Sequence, residues 1–283
     1  MTPGRVAPVE GASAVQEDEA RDVREAIASN PFWYHTLELA PDVTTPGWFD
    51  LRPIIDRLPW PDVRGKRCLD VGTSDGFLAF ELERRGASEV VATDLRDHSL
   101  WDWPVHLRAR GVEYLRTVTG PDKGVGLRLA KRALGSSVEP VEVSAYDLSP
   151  STVGHFDVVV CGSLLLHLRD PMGALQAIRS VCRGQFLCTN QIDLGLTAFA
   201  RRAPLARLHG AGDECQWWVP NPAGHRHMLL SSGFAIERES RSYSVPFGEG
   251  HRPRRWTPRR VARRVLAGGE GVPHHAVLAR PQS

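Results

Sequence analysis

The residues of this chain that could do chemistry at one place begin with a single turn, Asp70-Val71-Gly72-Thr73-Ser74-Asp75-Gly76. Its glycines let the backbone approach a ligand closely. Asp94 follows a second apolar stretch. An acid at the tip of such a strand is placed to accept hydrogen bonds from both hydroxyls of a ribose. A dinucleotide phosphate would want Gly-x-Gly-x-x-Gly facing a helix N-terminus. The glycines here are fewer and differently spaced, and Asp75 would repel a phosphate. Further on, His167 stands in Leu165-Leu166-His167-Leu168-Arg169-Asp170-Pro171. A histidine just past a central strand can act as a general base on an acceptor proton, or it can hydrogen-bond a backbone carbonyl and pack.

Periodic elements must position these groups. Cys68 to Val71 reads as a buried strand, Phe77 to Arg85 as a helix with Phe77, Leu78, Phe80 and Leu82 on its apolar side, and Glu89 to Thr93 as a second buried strand ending in Asp94. This is a βαβ unit. Upstream, residues 1–18 read as a disordered tail and Glu19 to Ala28 as a helix. Residues 31–50 are dense in aromatics and form either a lid over a ligand or a cluster sealing the sheet. Leu51 to Leu58 reads as a helix, and Pro59-Trp60-Pro61 as a linker.

Downstream, a long connection over 97–137 holds Trp101, Trp103 and a helix at Val125–Leu134. Val138 to Ser144 is a third strand, with Tyr146 and Asp147 in the turn after it. Phe156 to Cys161 is the fourth, Pro171 to Cys182 a helix, and Gln185 to Gln191 the fifth strand. Residues 194–222 break the alternation and read as a cap over an acceptor pocket, with Trp217, Trp218 and Asn221 as wall and anchor. Ala223 to Ser232 is a helix. Phe234 to Val245 and His275 to Arg280 read as a final antiparallel pair. Between them, residues 252–264 carry seven arginines in thirteen positions. These could grip phosphates or form a solvated face.

Bulk numbers narrow the classes. The 283 residues suit one large domain with appendages, and 42% apolar and 24% charged residues are ordinary for a soluble protein. A net charge of +2 argues for no global attraction to nucleic acid or membrane. Five cysteines without a C-x-x-C pair read as reduced thiols of a cytoplasmic protein rather than a disulfide framework or a metal site. The organisation expected is a tail at 1–18, a helical and aromatic lid at 19–61, and a catalytic domain at 62–283 with a cap insertion at 194–222 and a basic insertion at 246–272.

The Asp-x-Gly-x-x-x-Gly pattern of Asp70, Gly72 and Gly76 resembles motif I of class I methyltransferases, which bind S-adenosylmethionine (SAM). That cofactor carries an ammonium and a sulfonium but no phosphate, so Asp70 and Asp75 are compatible with it. Pro31-Phe32-Trp33-Tyr34-His35, Thr45-Pro46-Gly47-Trp48-Phe49-Asp50, the His167 turn, Trp218-Val219-Pro220-Asn221 and the closing Ala276 to Pro281 narrow the resemblance. Over about residues 30–282 the chain is similar to the bacterial tRNA wobble-uridine carboxymethyltransferase, or tRNA 5-methoxyuridine methyltransferase-like, group. Ser29 and Leu166 stand where that enzyme has a lysine and a tyrosine for its carboxy-SAM cofactor.

The resemblance implies an α/β fold with a Rossmann-like seven-stranded sheet, an N-terminal aromatic lid and a cap after the fifth strand. The implied cofactor is SAM, held by Trp33, Asp70, Gly72, Thr73, Ser74, Gly76, Phe77, Asp94, Leu95, Ala145, Tyr146 and Ser163. Tyr34, His35, Trp48, Trp217, Trp218 and Asn221 would meet the acceptor, His167 would take its proton, and no metal is expected. The expected reaction is direct in-line methyl transfer to a small molecule, most readily at oxygen. A tRNA wobble-uridine modifier and a non-catalytic SAM-binding subunit are the alternatives.

Overall fold

The computed structural model describes residues 10–119, 123–211, 215–251 and 271–282. Its centre is a mixed sheet. The strands are β1 (Arg67–Val71), β2 (Glu89–Asp94), β3 (Glu139–Glu142), β4 (Phe156–Gly162), β5 (Cys182–Gln191), β6 (Phe234–Glu239), β7 (Tyr243–Val245) and β8 (Val272–Pro281). Their spatial order is β6-β8-β5-β4-β1-β2-β3, with β7 also paired to β8. β3, β2, β1, β4 and β5 run parallel, whereas β8 runs antiparallel to β5, β6 and β7.

Alternation along the central strands explains the two-faced core. Cys68, Val90, Val158, Val160 and Leu187 face one layer, and Leu69, Val91, Val159, Cys161 and Phe186 face the other. The helices α2 (Phe77–Arg84) and α3 (Val125–Ala133) cover the first face; α4 (Pro171–Val181) and α5 (Pro222–Ser231) cover the second. Such two-sided burial is what a parallel sheet requires.

Three boundaries differ from the sequence reading. The first helix, α1 (Glu10–Ser29), starts well before residue 19. The stretch ahead of that residue is rich in Ala, Glu and Gln, which are good helix formers. Residues 1–9 of the expected tail lie outside the described residues. Leu51 to Leu58 is not an α-helix: Pro53 interrupts it, and only a 3-10 turn at Ile55–Arg57 forms. Phe234 to Val245 is two strands. The Ser240 hydroxyl takes the N–H of Ala276 at 3.0 Å, which breaks the ladder between β6 and β7 and adds an eighth strand. Among the described residues, no helix is long and apolar enough to cross a membrane. The arginine run at 252–264 lies outside the described residues.

Candidate active site

Strand order reverses between β1 and β4, so their carboxyl ends open a crevice, the usual place for a ligand in an open α/β sheet. A cavity of about 1510 Å³ lies there. It is walled by the turns that follow β1 to β5, by the 32–51 segment, by the cap and by the start of β8.

At one end stand the two acids of the βαβ unit. Asp70 is 1% exposed, and neither of its carboxylate oxygens has a hydrogen-bond partner. Burial pushes it up to about 7. The Thr73 hydroxyl next to it is also buried without a partner. Asp94 accepts the Ser74 and Leu95 N–H groups, one on each oxygen, both at 2.8 Å. Burial raises it too, against those two bonds. Each oxygen keeps acceptor capacity. A buried anion without a partner calls for a cation. The ammonium of SAM suits Asp70, and ribose hydroxyls suit Asp94, so the residues present fit this cofactor. Gly72, with φ 77°, keeps the turn beneath them open; a Cβ there would come within 3.0 Å of Leu164. Ser74, Leu95 and Ala145 also line the cavity. Tyr146 lines it while its hydroxyl bonds to Asp102 and accepts the Asp170 N–H at 3.1 Å.

The opposite wall is aromatic. Phe32 and Trp48 meet edge-on at 5.3 Å, and Phe49, Phe247 and His251 follow, the last two stacked at 3.8 Å. Tyr34 and His35 line the same wall, and burial pushes the Tyr34 phenol up to about 12. The segment is fixed to the body by Asp75, which accepts the backbone N–H groups of Tyr34 and His35 at 2.8 Å. Asp75 thus anchors the lid and does not line the cavity, which differs from its expected role beside the cofactor.

His167 lines the cavity from the 3-10 turn after β4, and its Nδ1 donates to the Cys215 carbonyl of the cap. Ser163, at φ 52°, lies at the tip of β4, with its Oγ 2.7 Å from Nε2 of His274. Both line the cavity.

Six expected contacts are placed elsewhere. Trp33 is buried under the lid, with its indole N–H on the Ile27 carbonyl at 3.2 Å; Phe32 and Tyr34 take its place at the wall. Gly76, at φ 95°, lets α2 start against Leu127 and Phe80, and Phe77 packs beside His35. Trp217 donates to the Asp102 carbonyl at 2.6 Å and stacks under Arg169; Trp218 donates to the Arg169 carbonyl at 3.1 Å. Their N–H groups are spent on fastening the cap rather than on a ligand. Asn221 is fully buried and satisfies the N-terminus of α5 and the Ala200 and Ala203 carbonyls. Cap residues that do reach the cavity include Leu194, Ala198, Arg207, His209, Gln216 and Val219.

Sequence reasoning missed Lys123, Asp102, His274, Phe247 and His251, all of which line the cavity. The His274-His275 pair opening an apolar strand was a signal for one of them. The others come from loops without a pattern. Asp147 does not line the cavity.

A family model described as a methyltransferase domain matches residues 50–241. The chain is 30% identical over 165 residues to a ubiquinone biosynthesis O-methyltransferase of Paracidovorax citrulli, covering 54% of this chain and 59% of that one. It is 30% identical over 168 residues to the enzyme of the same description from Pseudomonas syringae pv. tomato, covering 56% of each. The chain thus spans about half the length of the curated relatives it matches. Among solved structures, the N-terminal domain of EvdMO1 with SAH bound superposes with a TM-score of 0.52 at 14% identity, over 95% of this chain and 97% of that one, a likeness of fold. Since the family match spans more than half of the sequence, the protein belongs to the methyltransferase-domain family, with the class I fold and S-adenosylmethionine as its methyl donor.

Proposed function

We propose that this enzyme methylates a hydroxyl of a small aromatic molecule. One observation carries the reading: the unpartnered Asp70 carboxylate and the half-satisfied Asp94 share a single cavity with a wall of five rings, Phe32, Trp48, Phe49, Phe247 and His251. The acids suit the cofactor's cation and ribose, and the rings suit a flat acceptor. The names of the O-methyltransferase relatives agree with oxygen as the target.

When bound, SAM supplies a methyl group already activated by its sulfonium. The chain's task is then to hold the acceptor oxygen in line with that methyl, keep water out and receive a proton. Tyr34 and the ring wall press on the acceptor from the lid side. His167 and the Ser163–His274 pair are among the groups at the cavity that could receive the acceptor's proton. The tRNA reading rests on the arginine run and on the finer family resemblance, and no observation among the described residues favours it.

The test is SAH release from SAM with a panel of small phenols, set beside total tRNA. Turnover of a phenol supports the proposal; turnover of tRNA alone reverses it. Asp94→Ala should weaken SAM binding about tenfold to a hundredfold without unfolding the chain, since bonds to a charged group are worth about 1.5–3 kcal/mol. Unchanged affinity by calorimetry would remove Asp94 from the cofactor site.

A further inference from the structure

Ser163 and His274 meet at the tip of the sheet, one just after β4 and the other on the last strand, which runs antiparallel to β5. Nδ1 of His274 lies 2.9 Å from the Val272 carbonyl, which can only accept, so Nδ1 carries a hydrogen. His274 is 5% exposed, and burial lowers it to about 4, so the ring is neutral at ordinary pH. A neutral ring with its hydrogen on Nδ1 has a lone pair on Nε2. The Ser163 hydroxyl must therefore donate to Nε2, and its Oγ offers only lone pairs to the cavity it lines. Ser163 holds a left-handed backbone conformation, which is unfavourable for a side-chain-bearing residue, and its hydroxyl lies at the strand tip.

We propose that Ser163 is a catalytic residue that receives the acceptor's hydroxyl proton and hands its own to His274, the positioning residue behind it. The proposal rests on the methyltransferase reading above. As the acceptor oxygen gains the methyl group and the donor's carbon–sulfur bond breaks, the acceptor O–H bond breaks as well. That proton goes to Oγ of Ser163, while the Ser163 proton goes to Nε2 of His274. The positive charge first carried by the donor ends on the imidazolium, so the net charge of the site does not change. A weak base suffices, because a hydroxyl oxygen becomes strongly acidic once it bonds a methyl carbon. The titratable groups facing His274 among the described residues are Tyr243 on β7, with ring centroids 6.0 Å apart, and His225 across the sheet. Burial pushes the Tyr243 phenol up and His225 down, so both are uncharged near neutrality.

The experiment uses the full chain with SAM and the fluorescent phenol 7-hydroxy-4-methylcoumarin, whose O-methylation quenches its emission. Ser163→Gly, which suits the backbone at that position, and His274→Leu should each lower turnover about 10²-fold at pH 6, measured at saturating SAM. The deficit should shrink as pH rises through the ionisation of the phenol, because a phenolate has no proton to pass on. A purely structural role would give a pH-independent deficit, and that result overturns the proposal. So does a wild-type chain that binds SAH and leaves this phenol unmethylated. Nitrogen-15 NMR of the histidines in the SAH-bound wild-type chain checks the arrangement without any variant: His274 should show a hydrogen on Nδ1 and none on Nε2 from pH 6 to 9. The opposite tautomer overturns the relay. Failure of the wild-type chain to bind SAH overturns the methyltransferase reading itself, a separate result.

Discussion

The carboxylate of Asp75 holds His35 twice: Oδ2 accepts its backbone N–H at 2.8 Å, and Oδ1 meets Nδ1 of its ring. The same Oδ2 accepts the N–H of Tyr34. One motif residue therefore ties the lid to the turn that follows β1, the strand that carries Asp70. Asp75→Ala would leave two amide donors and a ring nitrogen without their acceptor, at a cost of about 3 kcal/mol. The expected outcome is a lower melting temperature and faster hydrogen exchange over residues 34–50. Unchanged protection there would show that the contacts of this segment with the Pro246–Gly250 loop hold the lid by themselves.

Asp70 gives the ligand-free protein a pH dependence of defined sign. Its folded pKa is raised to about 7, above an ordinary carboxylate near 3.9, so between those values the native state keeps a proton that the unfolded chain has lost. The contribution to stability is complete below the unfolded value and fades as pH rises through about 7. A bound cation reverses the preference, favouring the ionised carboxylate. SAM affinity should therefore rise with pH, by at most about tenfold per unit below pH 7, with proton release on binding. Calorimetry in two buffers of different ionisation enthalpy measures that release. Asp70→Asn should abolish it; persistence of the release in that variant would assign the proton to another group.

The βαβ unit, the third to fifth strands and both acids were legible because short continuous apolar runs and a glycine turn are local signals. The lid was legible as an aromatic cluster, but not which ring faces the ligand. Trp33 and Phe32 are neighbours, and the one-residue difference decides which is buried beneath and which lines the cavity. The tryptophans and Asn221 of the cap misled for a related reason. Large flat groups with polar edges suit a ligand pocket, and they equally suit a loop whose carbonyls need donors. Trp217, Trp218 and Asn221 serve the second purpose. The pairing of Ser163 with His274 was out of reach, since it joins residues 111 positions apart through a strand order that the sequence does not state.

His167 distinguishes two routes for the acceptor proton. Its Nδ1 is engaged with the Cys215 carbonyl, a bond that both orients the ring and holds the cap. If Ser163 and His274 take the proton, His167→Ala should lower turnover less than about fivefold, mainly through acceptor KM, and leave the pH profile in place. A loss of about 10²–10⁴-fold, with SAM still bound, would instead make His167 the general base.

The last prediction concerns a carboxylated donor. Carboxy-SAM carries one more negative charge, beside the sulfonium, and burying a carboxylate without paired donors costs several kcal/mol. Ser29 and Leu166 stand at the two positions where the similar tRNA enzyme has a lysine and a tyrosine. Ser29 turns its hydroxyl to the Ala26 carbonyl of its own helix at 2.7 Å and does not line the cavity. Leu166 is 2% exposed and does line it, with no donor to offer. The cations nearest to hand are committed: Arg207 pairs with Asp193 at 2.9 Å, and the Lys123 charge faces Asp94 and Asp75. SAM should therefore bind at least about tenfold more tightly than carboxy-SAM, or roughly 1.4 kcal/mol. Competition between the two cofactors for the purified protein measures the ratio. Equal or tighter binding of carboxy-SAM would mean that Lys123 or Arg207 leaves its carboxylate for the ligand, and carboxymethyl transfer would then be the better reading.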